Sequence, residues 1–272
     1  MIGIYVFSGT GNTLRCAGAL RDALAELGAD AALHEIKDGT EKAAERDLVL
    51  CYPVYGFNSP LPMLRFCRGL EAGGGRVWFL KTSGEPLKLN DASSGKLARI
   101  LRKKGFEVKG EFGYIMPYNI IFRHTDEAAS LMWETARRRI PAAARAIVSG
   151  EGTLPAPGAG AKLMSAVCRI EHGFYPVNGR LFRVDNKKCL RCMKCVGACP
   201  EGNISYANGR FKFGGRCVCC TRCAFACPAD AIRIGLIDFM RVNGPYDFTR
   251  DPAKAGPIKY CKKAYERYFS EE

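Results

Sequence analysis

Two runs of cysteine constrain this chain more than anything else in it. Cys189, Cys192, Cys195 and Cys199 are followed by Pro200, and Cys217, Cys220, Cys223 and Cys227 by Pro228. Both runs read C-x2-C-x2-C-x3-C-P, and each member of the second lies 28 residues after its counterpart in the first. The flanks repeat too, ACPEGNI at 198–204 against ACPADAI at 226–232, so the segment is an internal duplication. The stretch CVCCTRCAFAC at 217–227 carries a fifth cysteine, and the offset identifies it: Cys219 falls opposite Arg191 and is the one without a counterpart.

The spacing has a chemical logic. Three thiolates at intervals of three residues wrap a loop around one face of an iron–sulfur cubane, and a fourth just before proline reaches the other cluster. This assigns Cys189, Cys192, Cys195 and Cys227 to one cluster and Cys217, Cys220, Cys223 and Cys199 to a second. Proline after the fourth ligand ends a short helix and turns the chain away. Zinc also takes four thiolates, but its patterns use two separated C-x2-C knuckles rather than a tandem run. From about 182 to 236 the chain resembles the bacterial two-[4Fe–4S] ferredoxin, a small α+β fold.

Fourteen cysteines, with no basic and apolar leader in MIGIYVF and no apolar run of bilayer length, point to the cytoplasm and to no membrane insertion. In a reducing compartment clustered thiols bind metal more often than they pair. Apolar residues at 47% and charged ones at 25% exclude a disordered chain, and 272 residues suffice for one large domain or two ordinary ones.

The first half has a different texture. Apolar, β-rich runs at 2–7, 31–36, 47–52, 77–82 and 112–116 alternate with helical stretches at about 13–27, 60–69, 92–104 and 126–149. Such alternation predicts a parallel sheet covered on both faces, and the first and third runs are continuously apolar, as strands buried on both sides should be. Between the first strand and first helix lies FSGTGNT, residues 7–13. A glycine-rich turn opening a helix offers N–H groups and a positive dipole end to a phosphate, although the same pattern also serves as a plain capped turn. Leu14 stands where a dinucleotide fingerprint needs glycine, and no lysine of a nucleoside-triphosphate loop is present. Two further loops, PVYGFNSP at 53–60 and TSGEP at 82–86, follow the third and fourth strands, on the side of an open sheet where ligands bind.

These loops together resemble flavodoxin. The resemblance, over about 1–150, implies FMN, with its phosphate held by Ser8, Thr10, Gly11, Asn12 and Thr13. It implies that Pro53, Val54, Tyr55, Gly56, Phe57 and Asn58 line one side of the ring and Thr82, Ser83 and Gly84 the other. Tyr55 is the better stacking residue, and TSGEP lacks the aromatic that many flavodoxins place in this loop. The order of the two halves resembles a family of flavodoxin–ferredoxin fusion proteins, as does MPYNIIF at 116–122, where Tyr118 and Asn119 sit between flavin and clusters or simply pack the junction.

The expected organisation is an α/β doubly wound parallel sheet at 1–150, a Gly/Pro-rich linker with a connecting helix at 151–181, the ferredoxin unit at 182–236 and an extension at 237–272. Lys+Arg exceed Asp+Glu by 14, and the excess is larger after residue 150. This fits a docking face for an acidic ferredoxin or flavodoxin as redox partner, or a merely solvated surface; no nucleic-acid motif accompanies it. His34, His124 and His172 stand apart, and Cys16, Cys51, Cys67, Cys168 and Cys261 lack ligand spacing, although a helix dipole near Cys16 would lower its pKa. The expected function is an electron-transfer flavoprotein passing electrons between FMN, two [4Fe–4S] clusters and an external partner. An FMN-dependent reductase of a small substrate fed by the clusters and a redox sensor are the alternatives.

Overall fold

The computed structural model describes residues 1–40, 43–258 and 260–270. Strands and helices alternate through the first half: β1 (Ile2–Val6), α1 (Asn12–Glu26), β2 (Ala31–Glu35), β3 (Asp47–Pro53), α2 (Leu61–Gly69), β4 (Arg76–Ser83), α3 (Gly95–Lys103), β5 (Glu107–Ile115) and α4 (Asp126–Ser149). The five strands pair in parallel in the order β2-β1-β3-β4-β5. This is the flavodoxin-like doubly wound order, whose switch point lies between β1 and β3.

Residue alternation along the strands feeds two cores. Ile4, Val6, Val49, Cys51, Trp78 and Leu80 pack under α1 and α4 with Leu20, Leu24, Ile140 and Ile147. Tyr5, Phe7, Leu48, Leu50, Val77 and Phe79 pack on the other face under α2 and α3 with Met63, Leu64, Leu97 and Leu101. Helix α1 buries Cys16, Ala17, Leu20, Ala23 and Leu24, a stripe at three- and four-residue steps. Each fully buried Leu or Phe contributes about 1.5–3 kcal/mol. Cys16 belongs to this core: burial pushes its thiol up to about 12, outweighing the pull of the neighbouring Arg15 charge.

Two boundaries differ from the sequence pattern. Strand β5 begins at Glu107, five residues before the apolar run, because it is a sheet edge and its first half, Glu107-Val108-Lys109, is not buried. The stretch from 92 splits: Lys88–Ala92 forms a 3-10 turn and α3 starts only at Gly95.

The second half contains α5 (Ala159–Cys168), α6 (Glu171–Arg180), β6 (Arg183–Val184), α7 (Lys194–Ala198), β7 (Ile204–Ala207), β8 (Arg210–Phe213), α8 (Arg222–Phe225), β9 (Ile232–Arg233) and α9 (Lys262–Ser270). The strands form two antiparallel pairs, β6 with β9 and β7 with β8. The duplication is written into the backbone. Left-handed φ values recur in pairs, 51° at Arg191 and 49° at Cys219, 58° at Met193 and 57° at Thr221, 53° at Gly202 and 46° at Asp230. A small core of Phe182, Ile204, Cys223, Ala224, Ile232 and Ile234 joins the two copies.

Several contacts fasten this unit to the sheet. Asp38 N donates to Pro200 O at 2.7 Å, Arg216 pairs with Asp38 at 2.7 Å, and Arg65 pairs with the buried Glu201. The segment beyond residue 236 turns back: Ile121 N donates to Met240 O at 2.8 Å, and Tyr246 Oη donates to Tyr118 O at 2.7 Å. Helix α9 sets Tyr265 and Tyr268 against Ile115 and Met132. No helix of the described residues is long and apolar enough to cross a membrane.

Candidate cofactor sites

A cavity of about 460 Å³ opens beyond the carboxyl ends of β1, β3, β4 and β5. Its size falls in the range of small-molecule sites, and its position is that of ligands in open parallel sheets. Ser8, Thr10, Asn12 and Thr13 line it, as do Pro53, Val54, Tyr55, Gly56 and Phe57 and, from the third loop, Thr82, Ser83 and Gly84. Gly11 and Asn58 are not among its lining residues. Gly11 adopts φ 102° and donates its N–H to Ser8 Oγ at 3.1 Å, which shapes the turn. Asn58 gives its amide to Gly56 O at 2.7 Å and Ser165 O at 2.9 Å and accepts from Ser165 Oγ at 2.8 Å. It therefore ties the second loop to α5.

The first loop suits an anion. Helix α1 has no side-chain cap and no acidic residue in its first turn, so N–H groups and the positive dipole end remain available. Thr13 Oγ1 and Thr82 Oγ1, both buried, lie 2.7 Å apart and link the first and third loops. Asn12 Nδ2 donates to Pro117 O at 2.7 Å, tying the loop to the segment after β5.

The walls for a ring come from more of the chain than the three loops. Tyr55 to Asn58 close a tight turn through reciprocal backbone bonds of 2.9 and 2.8 Å, with Gly56 at φ 50° and Phe57 at 57°. This is the left-handed pair of a type I′ turn, and it fixes Tyr55 on the cavity wall. The aromatic absent from TSGEP is supplied from elsewhere: the Tyr118 ring lies directly on Gly84, so any Cβ at that position would run into it. Tyr118 donates its hydroxyl to Glu85, whose carboxyl burial pushes above the usual range against the pull of that bond. Tyr118 also stacks on His124, where burial lowers the imidazole to about 4. The buried pair Lys81 and Glu111 supports Asn90, since Lys81 Nζ donates to Asn90 O at 2.9 Å. Asn90 lines the cavity, and its Oδ1 is buried without a hydrogen-bond partner, as expected of a group kept for a ligand. Glu171, Phe174 and Tyr175 of α6 and Cys168 of α5 also line it.

Two smaller cavities are lined by thiols. Cys189, Cys192, Cys195 and Cys227 surround one, with Leu190, Lys194 and Phe211. Cys199, Cys217, Cys220 and Cys223 surround the other, with Phe182, Val218 and Thr221. Each set crosses the duplication, drawing three cysteines from one copy and the fourth from the other. The backbone prepares the sulfurs as acceptors: Arg191 N faces Cys189 Sγ at 3.4 Å and Cys219 N faces Cys217 Sγ at 3.4 Å. Asn203 N meets Cys199 Sγ and Ala231 N meets Cys227 Sγ, both at 3.3 Å. These bonds repeat with the 28-residue offset and favour the thiolate form that a cluster requires. Among the described residues no three His, Cys, Asp or Glu side chains converge as ligands of a single ion do. Four sulfurs set around a cavity suit a multi-atom cluster.

The large cavity and the second thiol set share a wall. Cys219 lines the large cavity, while Cys217 and Cys220 on either side of it line the thiol cavity. Cys219 Sγ lies 3.7 Å from Asn178 Nδ2 and 3.8 Å from Tyr175 O, and its thiol also hydrogen-bonds that of Cys217. Gly9 presses on the same stretch: a Cβ there would sit 2.7 Å from Cys220 O. Arg222 locks the contact, donating to Ser8 O and, at 2.9 Å, to Gly9 O, and pairing with Glu35 at 2.6 Å. Sequence reasoning did not single out Arg222, Glu85, Asn90, Glu171 or Tyr175; TRC inside the second cysteine motif put Arg222 near a site, and TSGEP did so for Glu85.

Residues 181–204, which include Cys189, Cys192, Cys195 and Cys199, match the 4Fe-4S binding domain family. No curated protein matches the chain. Among solved structures, a flavodoxin of Streptococcus pneumonia TIGR4 is 19% identical over 55% of this chain and 99% of that one, with a TM-score of 0.41. Oxidised Flavodoxin 2 from Bacillus cereus is 16% identical over 54% of this chain and 97% of that one, with a TM-score of 0.42. The fold of the first half rests on its own sheet order.

Proposed function

From a chain that joins a flavodoxin-like α/β unit to a 4Fe-4S binding domain, we propose an electron-transfer flavoprotein that moves electrons between FMN, two [4Fe–4S] clusters and an external redox protein. FMN takes up two electrons and each cluster one, so a chain holding both converts paired into single-electron traffic. The observation that carries this reading is the shared wall: Cys219 and the Gly9–Cys220 contact bring the large cavity against the second thiol set.

In this reading the first loop and the N-terminus of α1 hold the phosphate, Tyr55 and Tyr118 flank the ring, and Asn90 Oδ1 accepts a hydrogen bond from it. The eight cysteines of the two sets hold the clusters. Segments from both halves cover the cavity: α5 and α6, the Tyr118–Ile121 stretch, and Ile237 with Met240. In this reading they cover the ring and narrow its access to water and to a protein partner.

Glu85 favours a second reading, an FMN-dependent reductase of a small molecule. Its carboxyl is raised by burial and lines the cavity beside Tyr118, where it can hold a proton for a substrate.

Reducing the protein with an external one-electron donor tests the proposal. Bleaching of the clusters should be followed by flavin reduction at a rate independent of donor concentration. Flavin reduction that rises linearly with donor throughout would rule out the relay. Reoxidation that saturates with one metabolite and ignores salt would favour the reductase.

A further inference from the structure

The two thiol sets sit in unlike surroundings. Around the second, Cys220 and Cys223 are buried, Arg65 seals Glu201, and the wall of the large cavity closes one side. Around the first, Cys192 is exposed and Leu190, which lines the same cavity, is 68% exposed. The first set is therefore the more accessible of the two to a partner.

The surface there is basic and unspent. Lys187, Lys188, Arg191 and Lys194 are exposed within eight residues of one another. Among the described residues none of their side chains forms an ion pair, whereas the basic groups that join the two halves, Arg65, Arg216 and Arg222, are all paired. Arg191 is held outward by a fixed backbone, since its φ of 51° is imposed by the turn whose N–H meets Cys189 Sγ. An exposed apolar residue flanked along the chain by exposed cations without ion pairs is the arrangement of a transient docking patch, where charge steers encounter and a small apolar contact seats it.

We propose that Leu190 with Lys187, Lys188, Arg191 and Lys194 forms the docking face for a small acidic one-electron carrier protein. This rests on the relay reading and specifies where its partner binds. In each encounter the carrier loses one electron and this chain gains one, or the reverse; no bond breaks and no proton need move. The charge favours a carboxylate-rich surface, and the apolar centre beside the thiols favours a folded protein over a bare polyanion.

The test measures binding to the oxidised holoprotein, so that it stands apart from electron flow. A small acidic [2Fe–2S] ferredoxin serves as probe, titrated by calorimetry at several salt concentrations. Lys188→Glu with Arg191→Glu should weaken binding about tenfold or more at low salt, with the difference closing as salt rises. The same reversal at Arg137 and Arg138 on α4 should leave binding unchanged. Iron content and the cluster spectrum verify the site, and Lys188→Gln with Arg191→Gln replaces the reversal if iron is lost. Binding that ignores the first pair and weakens with the second overturns the proposal, and so does tighter binding of a short DNA duplex than of the ferredoxin. Failure of flavin reduction with docking intact would instead remove the relay.

Discussion

Replacing Arg222 by methionine tests whether the cluster unit holds the first loop in its binding shape. Arg222 reaches across the junction with a guanidinium about one-sixth exposed, donating to Ser8 O and Gly9 O and pairing with Glu35. Burial pushes the Glu35 carboxyl up, but hydrogen bonds from Lys37 and Arg222 win and hold it below its usual range. A hydrogen bond from a charged donor contributes about 1.5–3 kcal/mol, and water entering after truncation recovers part of two such bonds. A net loss of about 2–3 kcal/mol in loop ordering is therefore expected. A ligand that binds only the ordered loop loses affinity by the same factor, about 30- to 150-fold. Recovery of free-flavin fluorescence on dilution reads this directly, with iron content as the control for the neighbouring Cys223. Glu35→Gln keeps the geometry while removing one charge, and should cost less than about fivefold. Flavin affinity unchanged within about threefold in Arg222→Met, with iron retained, would refute the reasoning.

Three further outcomes follow from the same geometry. Cys219→Ser should retain the iron of the parent protein because Cys219 lines the large cavity and not the second thiol cavity, whereas Cys220→Ser should lose part of it; iron analysis with low-temperature spin resonance decides. Released flavin should be FMN on chromatography, and Thr13→Asp, placing a carboxylate at the buried Thr13–Thr82 contact, should abolish its binding by repulsion of the phosphate. His124 titrates at about 4 when folded against 6.5 as its ordinary value. The unfolded chain thus binds the proton first, and stability is lost as pH falls from about 6.5 to 4. Urea unfolding across that window should show a decline of up to about 3 kcal/mol that His124→Gln flattens.

The cysteine sets were readable in one dimension because ligand spacing is local. Three thiols per loop come from adjacent turns, and the 28-residue offset marks Cys219 as the one without a counterpart. The central strands were readable for a similar reason, since burial on both faces leaves continuous apolar runs such as Ile2–Val6 and Asp47–Pro53. Strand β5 was half hidden, because its exposed edge carries Glu107 and Lys109 where a central strand would carry apolar residues. The loops lining the large cavity could be named from their small polar residues and their places after strands. What completes the cavity could not. Tyr118 supplies the aromatic missing from the third loop only because the chain after β5 folds across Gly84. Asn58 turned out to brace α5 rather than face the cavity. Arg222 grips Gly9 across 213 residues of chain, and Cys219 becomes a cavity wall through the docking of one half on the other. Periodicity and motif spacing report on neighbours along the chain, whereas the junction between the two units depends on surfaces that meet only once both have folded.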